Sequence, residues 1–411
     1  MLYFIGLDSF DTAFAGCTTH FASLLIHLLA RDGLHPADYP WLVRLNPAVP
    51  WKTRGNGAVS LIFYGDRGDA SKIVLRVKEL TKAYMIDRTG KASLVILKMP
   101  LDDPAEALDR RQRCLEEVYR RALRKPVPHD MAAACLGRLS ENTVFAFNPE
   151  ARGLVGALAA LGASWSDDYT YELIVYRKVS FWHIGRVIDP LSVIEYDLAT
   201  RPLTFMNYDY ELSRILVAPH GYDPVLYGVR GENPHILLKA LTMIRTKEEP
   251  SHWTLFRSNQ GTNAHLHKAD LCSVRPYENP VIAGTVKEVK NIPGGHTVLR
   301  LCSESCCLPV AFYRETGRMR QAARLLRPGS IIEVGGQAKP HGNMVTVNAE
   351  YLKVLEPEPA ELGLEQSVIT PPLSAFHHLM RPPSRPNLRK NVKQDIPRST
   401  ASIFSKDLQF T

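Results

Sequence analysis

The segment that most constrains the fold of this chain is residues 44 to 58, which read RLNPAVPWKTRGNGA. Pro47 and Pro50 fix their own φ angles and disfavour helix at the residues that precede them. Residues 55 to 57 read GNG, and glycine and asparagine tolerate the left-handed backbone conformations of a tight turn. The β-branched and aromatic residues from Val59 to Tyr64 then indicate a strand. The segment is therefore predicted to be a turn that leads into a strand.

This turn has the composition of a site for anions. Lys52 and Arg54 place two cations beside Gly55 and Gly57, which lack side chains and leave backbone N–H groups open to a ligand. Cations beside such a backbone concavity are typical of a phosphate site, and a nucleotide is the expected ligand. Asn56 would supply the turn conformation between the two glycines. The spacing is not that of a Walker A loop, and the alternative interpretation of this segment alone is a basic hairpin turn.

Composition places the chain among ordinary globular proteins that carry excess positive charge. Its 411 residues are enough for roughly two to four domains, with 45% hydrophobic and 22% charged residues. The net charge of +8 favours a polyanionic partner such as nucleic acid. The first residues lack the basic region of a secretory signal, and no apolar stretch is long enough to span a bilayer. A cytoplasmic protein with no membrane partner is expected.

The seven cysteines are odd in number and scattered along the chain. This pattern predicts reduced thiols in a cytosol rather than a disulfide framework. Cys302, Cys306 and Cys307 form a cluster, but the sequence lacks the two paired Cys-x2-Cys knuckles of a zinc ribbon, so no zinc is expected. The expected role of this cluster is structural, in or beside a strand.

Hydrophobic periodicity predicts an α+β, multidomain chain. Residues 1–150 form the first predicted unit, in which the apolar run from Leu2 to Leu7 indicates a buried strand. Thr18 and Thr19 can cap the helix that follows, whose apolar residues recur with helical spacing as far as Gly33. A strand, a loop with carboxylates and a helix N-terminus therefore follow one another.

Three further units are predicted along the rest of the chain. Residues 151–275 alternate strands with helices, which suggests a ferredoxin-like sandwich, and their first helix, at 152–162, is rich in small residues and suited to close packing. Residues 276–356 show three strands, a helix and two more strands, the order found in an OB-fold barrel. Residues 357–411 are rich in proline and basic residues and are predicted to form a disordered tail.

Carboxylates and hydroxyl groups lie where the first unit would bind a nucleotide. Asp8 and Asp11 close the first strand, and their hard oxygen atoms would suit a magnesium ion that carries phosphates, although aspartates also favour such loops without any ligand. Thr18 and Thr19 lie at a helix N-terminus, which attracts phosphate, or they act as plain caps. Together with residues 52–57, called the basic turn below, these elements describe a site for a magnesium nucleotide with a hydroxyl group nearby.

A series of motifs occurs in a fixed order along the chain. They read GLD at 6–8 with Asp11, CTT at 17–19, RLNP at 44–47, KTRGNG at 52–57, RGLVGALAALG at 152–162, PVLYGVRGE at 224–232 and FRSNQGTN at 256–263. In this order the motifs resemble those of the archaeal tRNA(Ile) 2-agmatinylcytidine synthetase family. The resemblance covers residues 1 to about 355.

The resemblance implies an ATP-dependent ligase that attaches agmatine to the wobble cytidine of tRNA(Ile) with a CAU anticodon, so that the anticodon reads AUA. It implies a kinase-like N-terminal domain that activates the cytosine carbonyl with phosphate from ATP. Carried over by motif, Asp8 and Asp11 would hold Mg²⁺, and Thr18 would be the hydroxyl group that is phosphorylated. Electrostatic clamping of the ATP phosphates would come from Lys52, Arg54, Gly55, Asn56 and Gly57.

Agmatine is a dication, so its pocket is expected to contain carboxylates or aromatic faces. Glu172 and Asp209 are the candidates, and each fits the role of a surface charge equally well. Two features depart from the family pattern. The first loop usually has adjacent aspartates, whereas Ser9 and Phe10 follow Asp8 here, and no cysteines that match a C-terminal zinc ribbon follow Cys307. These departures motivate a second hypothesis, a tRNA-binding paralogue that has lost catalysis.

Overall fold

The structure is a computed structural model that describes residues 1–11, 16–84, 90–100, 105–163, 167–210, 212–221, 223–356 and 368–369. The predicted tail at 357–411 lies outside these described residues, apart from residues 368–369. Within the described part of the chain, no helix is both long and apolar enough to cross a membrane.

The described helices and strands alternate through most of the chain. The helices are α1 (Thr18–Arg31), α2 (Asp69–Tyr84), α3 (Ala105–Arg124), α4 (His129–Arg138), α5 (Gly153–Leu161), α6 (Pro190–Thr200), α7 (Pro234–Leu238), α8 (Ala240–Met243) and α9 (Arg318–Leu325). The strands up to residue 177 are β1 (Leu2–Asp8), β2 (His35–Pro36), β3 (Trp41–Arg44), β4 (Gly57–Tyr64), β5 (Ser93–Met99), β6 (Thr143–Phe147) and β7 (Thr170–Arg177). The later strands are β8 (Thr204–Phe205), β9 (Tyr208–Asp209), β10 (Arg214–Ile215), β11 (Val225–Gly231), β12 (Pro250–Ser258), β13 (His267–Lys268), β14 (Pro280–Ile292), β15 (His296–Cys302), β16 (Cys307–Phe312), β17 (Ile331–His341), β18 (Met344–Glu356) and β19 (Val368–Ile369).

One mixed sheet of ten strands extends through the first two predicted units. Its strand order is β6-β5-β1-β4-β3-β12-β7-β11-β8, and β2 pairs with β4. The parallel pairing of β3 with β12, in which Arg257 lies opposite Trp41, joins the N-terminal strands to the later ones. The mixed α+β class predicted from periodicity is confirmed.

Helices cover both faces of the N-terminal half of this sheet. On one face, α1 and α2 bury Phe21, Leu25 and Val77 against β1 and β4. On the other face, α3, α4 and α5 form a second core that includes Tyr119 and Leu158. Burying such side chains contributes on the order of 1.5–3 kcal/mol each, so the two cores hold the strand ends in fixed positions.

The helix at α5 confirms the close packing expected from its small residues. Although α5 falls in the predicted unit 151–275, it packs against β1, β4, β5 and α3. A side chain at Gly6 of β1 would overlap the carbonyl of Ala157, and one at Gly162 would overlap the carbonyl of Leu115 on α3. Glycine is therefore required wherever α5 touches these neighbours.

A closed barrel of five strands follows the large sheet. Its strands pair in the order β14-β15-β16-β18-β17, and β17 returns to pair with β14, with Val281 opposite Gly335. Helix α9 lies between β16 and β17 in the chain and buries Met319 and Ala323 in the barrel core. The predicted order of three strands, a helix and two strands is confirmed, although β17 and β18 extend further than expected.

The prediction of reduced thiols is wrong for six of the seven cysteines. The structure pairs Cys114 with Cys135, Cys272 with Cys306 and Cys302 with Cys307, and it leaves Cys17 as a thiol. Folding creates these pairs: the β15–β16 register places Cys302 directly opposite Cys307, with Cα atoms 4.0 Å apart. The other pairs join the neighbouring helices α3 and α4 and link Cys272 to Cys306, so all three depend on contacts that cysteine count and spacing did not predict.

Candidate active site

The sheet topology brings three of the predicted site segments together. β1 and β4 are antiparallel neighbours, with Leu7 opposite Val59, so the C-terminal end of β1 at Asp8 lies beside the N-terminal end of β4 at Gly57. Helix α1 begins at the same end of these strands, after the loop that follows β1. The structure therefore places the carboxylates, the helix start and the basic turn near one another, and their role in one ligand site stays a prediction.

The basic turn has the backbone conformation expected from its composition. Asn56 adopts a φ of 49° and Arg54 a φ of 40°, both in the left-handed region. The turn closes through the Asn56 N–H, which donates to the Thr53 carbonyl at 2.8 Å. Lys52 bends back and donates to the Pro47 carbonyl at 2.7 Å. The strain is thus borne by the asparagine and the arginine, and neither glycine has a positive φ.

A cleft of about 450 Å³ opens on one side of this turn. Its volume is within the range of small-molecule sites. Its charged lining residues are Asp11, Arg44, Arg54, Glu172, Asp223 and Arg230. Thr18, Gly55 and Gly57 also line the cleft, so the helix start and the turn face the same space.

A smaller cavity of about 50 Å³ lies on the other side of the turn. Asp8 lines this cavity together with three basic residues, Lys52, Lys125 and Arg152. Thr53 lines both the cleft and the smaller cavity. The turn therefore separates the two cavities, with Arg54 on the side of the cleft and Lys52 on the side of the smaller cavity. Cations placed in this way suit a chain of phosphates.

Asp8 and Asp11 are buried carboxylates whose charges disfavour each other. Burial, followed by the neighbouring Asp11 charge, raises the pKa of Asp8 to about 7. Burial also raises the pKa of Asp11, and hydrogen bonding from Thr53 and the Arg54 charge offset part of this shift. Arg54 Nε lies 3.7 Å from Asp11 Oδ2. Two buried carboxylates in this state gain stability from any cation that binds between them.

Thr18 occupies the first position of α1, with its side chain largely buried at the wall of the cleft. Its Oγ1 accepts a hydrogen bond from the Phe10 N–H at 3.1 Å. The residue before it, Cys17, has an extended backbone and supplies no side-chain cap. Helix N-termini attract anions, and Thr18 and Thr19 at the start of α1 line the cleft.

Glu172 and Asp209, the predicted agmatine ligands, lie in different environments. Glu172 on β7 lines the cleft and accepts a bidentate contact from Arg44 Nη2 at 2.8 and 3.1 Å, with Arg230 Nε at 3.4 Å. Burial acts to raise the pKa of Glu172, but the two guanidinium charges outweigh it and the net shift is downward. Asp209 on β9 accepts from the Leu212 N–H at 3.1 Å and is not among the residues that line the cleft.

Asp223 is a cleft carboxylate that the sequence did not single out. It is buried, lies 3.5 Å from Arg54 Nη1 and contacts Arg186 Nη2 at 2.8 Å. Burial raises its pKa, and the Arg186 and Arg54 charges oppose this. Its position just before the PVLYGVRGE motif, at the end of a loop with glycine and proline, was the only sequence signal available.

The FRSNQGTN motif has a structural role in holding Arg44. Asn259 accepts from the Arg44 N–H at 2.7 Å through Oδ1 and donates to the Arg44 carbonyl at 2.9 Å through Nδ2. These two bonds imitate a strand pairing at the end of β3. They fix the backbone of the arginine that contacts Glu172, although 215 residues separate Asn259 from Arg44.

The glycines of α5 allow the helix to lie against Asp8. A Cβ atom at Gly156 would overlap the Asp8 carboxylate, and one at Gly153 would lie 3.0 Å from the Asp8 carbonyl. The RGLVGALAALG motif therefore forms part of the wall around Asp8. Among the residues that the structure describes, no group of three or more His, Cys, Asp or Glu side chains is arranged to hold a metal ion.

Three histidines form a buried row behind the start of α1. The His252 ring lies 5.4 Å from that of His20 and 5.7 Å from that of His27. Burial lowers the pKa of all three, that of His252 to about 3, so the rings are neutral in the folded protein near neutral pH. His20 Nδ1 shares a hydrogen bond with the Tyr84 hydroxyl at 2.8 Å, and that hydroxyl accepts from the Cys17 N–H. The row thus supports the helix start.

Because of these buried neutral histidines, we expect the folded protein to lose stability in acid. The unfolded chain takes up protons below pH about 6.5 that the folded rings reject, so the free energy of unfolding falls by up to about 1.4 kcal/mol per pH unit for each histidine. The variant His252→Phe keeps an aromatic ring beside Tyr176. We expect it to reduce the pH dependence of the free energy of unfolding by the contribution of one histidine, up to about 1.4 kcal/mol per pH unit. Urea unfolding between about pH 7 and about pH 5 measures the slope. His235→Phe, at an exposed position of α7, is the control, and equal slopes in all three proteins would contradict the prediction.

The geometry defines a class of protein, one with a cleft in which arginines and a basic turn lie beside buried carboxylates and a helix start. Comparisons with known proteins specify it further. The TiaS TCKD domain profile matches residues 4–76, and the TiaS FLD domain profile matches residues 151–265. TiaS of Hyperthermus butylicus, a 2-agmatinylcytidine synthetase for an isoleucine tRNA, is 53% identical over 401 residues, which are 94% of this chain and 93% of that protein. The corresponding protein of Thermofilum pendens is 39% identical over 86% of this chain and 78% of its own length.

Solved structures agree with these sequence relationships. The crystal structure of apo TiaS superposes with a TM-score of 0.83 at 27% identity and covers 95% of this chain and 99% of its own. The crystal structure of TiaS in complex with its isoleucine tRNA and ATP gives a TM-score of 0.83 at 28% identity, over 95% of this chain and 98% of its own. This chain belongs to the tRNA(Ile) 2-agmatinylcytidine synthetase family, which confirms the resemblance seen in its motifs.

Proposed function

We propose that this protein is an ATP-dependent ligase that conjugates agmatine to the wobble cytidine of the tRNA(Ile) with a CAU anticodon, so that the anticodon reads AUA. The observation that carries the proposal is the cleft in which the basic turn, the start of α1 and Asp11 meet, with Asp8 in the smaller cavity on the other side of the turn. The relatives are named for this reaction, and one related crystal structure is a complex of TiaS with its isoleucine tRNA, AMPCPP and agmatine. These likenesses support the same substrates for this chain.

The proposed chemistry begins with activation of the cytosine carbonyl. Attack by an amine on a ring carbon requires the carbonyl oxygen to leave, and phosphorylation by ATP turns it into a leaving group. The N–H groups at the start of α1 and the cations of the turn would hold the phosphoryl groups. ATP would transfer one phosphoryl group to the carbonyl oxygen and, as the family resemblance implies, one to the Thr18 hydroxyl, and each transfer breaks a phosphoanhydride bond and releases the rest of the nucleotide. The agmatine amine then attacks the ring carbon and loses a proton, and the carbon–oxygen bond breaks with release of inorganic phosphate. Lys52, Arg54, Gly55, Asn56 and Gly57 are the proposed phosphate contacts.

The oxygen-rich, buried pair formed by Asp8 and Asp11 fits a hard divalent cation. We propose Mg²⁺, which when bound would neutralise phosphate charge during transfer. Ser9 stands where the family usually has a second aspartate, and its N–H donates to Asp8 Oδ1 at 2.6 Å. That bond orients the remaining carboxylate. Phe10 is fully buried against Phe21, with ring centroids 4.1 Å apart, so it belongs to the core.

The agmatine dication requires carboxylates within reach of the activated base. Glu172 remains a proposed ligand because it lines the cleft, and Asp223 joins it for the same reason. Each already contacts an arginine, so agmatine would bind by taking over part of that interaction. Asp209, proposed from the sequence, lies on the β9–β10 hairpin and would have to act from outside the cleft lining.

The domain roles are proposals of the same kind. Residues 1–150 would be the kinase-like catalytic domain, 151–275 the ferredoxin-like domain and 276–356 an OB-fold that binds tRNA, which the closed five-strand barrel supports. Residues 357–411 would add electrostatic attraction for RNA. A cytoplasmic location is proposed because the substrate is tRNA.

The proposal is tested by incubating the purified protein with radiolabelled agmatine, ATP and a transcript of the tRNA(Ile) with a CAU anticodon. Label is expected in acid-insoluble RNA only when ATP is present, and a transcript with uridine at the wobble position should remain unlabelled. The alternative, a tRNA-binding paralogue without catalysis, is not favoured by relatives that are named as synthetases. It predicts salt-sensitive tRNA binding with no incorporation, and that result would overturn the proposal.

A further inference from the structure

Asn46, which precedes the basic turn, is a buried hub between the turn and the barrel. Its side chain is buried, and its Oδ1 accepts from the Ala48 N–H at 2.7 Å. Its backbone N–H donates to the Ala122 carbonyl on α3 at 2.9 Å, and its carbonyl accepts from Asn56 Nδ2 at 2.8 Å. Because Asn56 has one of the two left-handed conformations of the turn, Asn46 holds the turn in shape.

The same amide reaches the segment that enters the barrel. Asn46 Nδ2 donates to the Tyr277 carbonyl at 2.8 Å, and Asn46 Oδ1 accepts a second bond from Asn279 Nδ2 at 2.8 Å. The two backbone partners settle the amide orientation, since the N–H of Ala48 requires an acceptor and the carbonyl of Tyr277 requires a donor. One side chain therefore joins the turn to the residues that precede β14.

The barrel contacts the turn at further points. Lys339 on β17 donates to the Ala48 carbonyl at 2.5 Å, and the Trp51 and Tyr277 ring centroids are 6.0 Å apart. Burial lowers the pKa of both Lys52 and Lys339, and the Glu350 carboxylate of β18 opposes the shift in each. The phosphate-binding turn thus rests on the surface of the barrel.

We propose that Asn46 is a positioning residue that docks the barrel onto the basic turn, and that this contact couples tRNA binding at the barrel to ATP binding at the turn. The inference rests on the proposed function for the identity of the two ligands. A tRNA that holds the barrel against residues 46 to 56 would also hold the backbone of the basic turn, which is the proposed phosphate site. By thermodynamic linkage, tRNA must then tighten ATP binding by the same factor by which ATP tightens tRNA binding.

The test measures this factor with AMPCPP, which avoids turnover. We expect a saturating tRNA(Ile) transcript to lower the Kd for AMPCPP about fivefold or more in the wild-type protein, with the reciprocal effect on the tRNA Kd. Lys339→Met removes the contact to Ala48 and is expected to bring the factor towards one. Lys287→Met, which removes an exposed lysine from β14 of the same barrel, should keep the wild-type factor even if its tRNA affinity changes.

Asn46→Asp is the second variant, because it keeps the acceptor for the Ala48 N–H but sets an oxygen against the Tyr277 carbonyl. It should bring the coupling factor towards one while it still binds the tRNA transcript, a combination that general destabilisation would not produce. A factor near one in the wild-type protein, or an unchanged factor in Lys339→Met, would overturn the inference. Label incorporation by the wild-type protein without coupling defeats this inference alone, whereas coupling without incorporation defeats only the proposed function.

Discussion

Replacing Thr18 with alanine is expected to abolish agmatine transfer while tRNA binding is retained. The hydroxyl lies at the first position of α1, at the wall of the cleft, and is the proposed phosphate acceptor. Loss of a group that acts directly on the transferred phosphoryl is expected to reduce kcat by about 10³-fold or more. Loss of the acceptor for the buried Phe10 N–H should cost about 1–3 kcal/mol of stability, less than the whole free energy of unfolding of a typical domain, so the fold is kept. Initial rates of label incorporation measure the effect.

Thr18→Ser is the matched control, because it removes a methyl group and preserves the hydroxyl. We expect it to retain activity within about tenfold of the wild-type protein, since a change of about 1.4 kcal/mol is tenfold. The affinity for the tRNA transcript should be unchanged in both variants. An alanine variant as active as the serine variant would remove Thr18 from the mechanism and leave it only as the acceptor for the Phe10 N–H.

Gly156→Ala is expected to have the second large effect, although it adds a single methyl group. That methyl group would overlap the Asp8 carboxylate, which has little room to move because α5 is packed against β1 and α3. Overpacking of this kind costs about 1–3 kcal/mol of stability. Displacing the carboxylate by about 1 Å is expected to reduce activity by about 10²-fold.

Gly137→Ala on α4 is the control for this substitution, since an added Cβ there meets nothing within 4 Å. Its stability should change by no more than about 1 kcal/mol, the ordinary difference between glycine and alanine in a helix. Urea unfolding and label incorporation are measured for both variants. Equal activity in Gly156→Ala and Gly137→Ala would show that the position of Asp8 does not matter for the reaction.

Local patterns were sufficient to predict the parts of the site that are close in sequence. The run that ends at Asp8, the helix that begins at Thr18 and the turn around Asn56 each follow from composition and spacing. Their meeting point also follows once β1 and β4 are neighbours. The small residues of 152–162 predicted close packing, and the structure identifies Asp8 and α3 as the neighbours.

Contacts between distant segments could not be predicted in this way. The Arg44–Glu172 pair spans 128 residues, and the Asn259 clamp on Arg44 spans 215. Asp209 and Asp223 lie in similar sequence surroundings, and only the fold decides that Asp223 lines the cleft.

The wobble nucleoside itself provides the most direct test of the central claim. The purified protein is incubated with agmatine and a transcript of the tRNA(Ile) with a CAU anticodon, with and without ATP, and the digested nucleosides are analysed by mass spectrometry. We expect the wobble cytidine to be replaced by its agmatine conjugate only when ATP is present, and to remain cytidine with Thr18→Ala. An unmodified wobble cytidine in the complete reaction, while an active relative modifies the same transcript in parallel, would show that this protein is not the ligase.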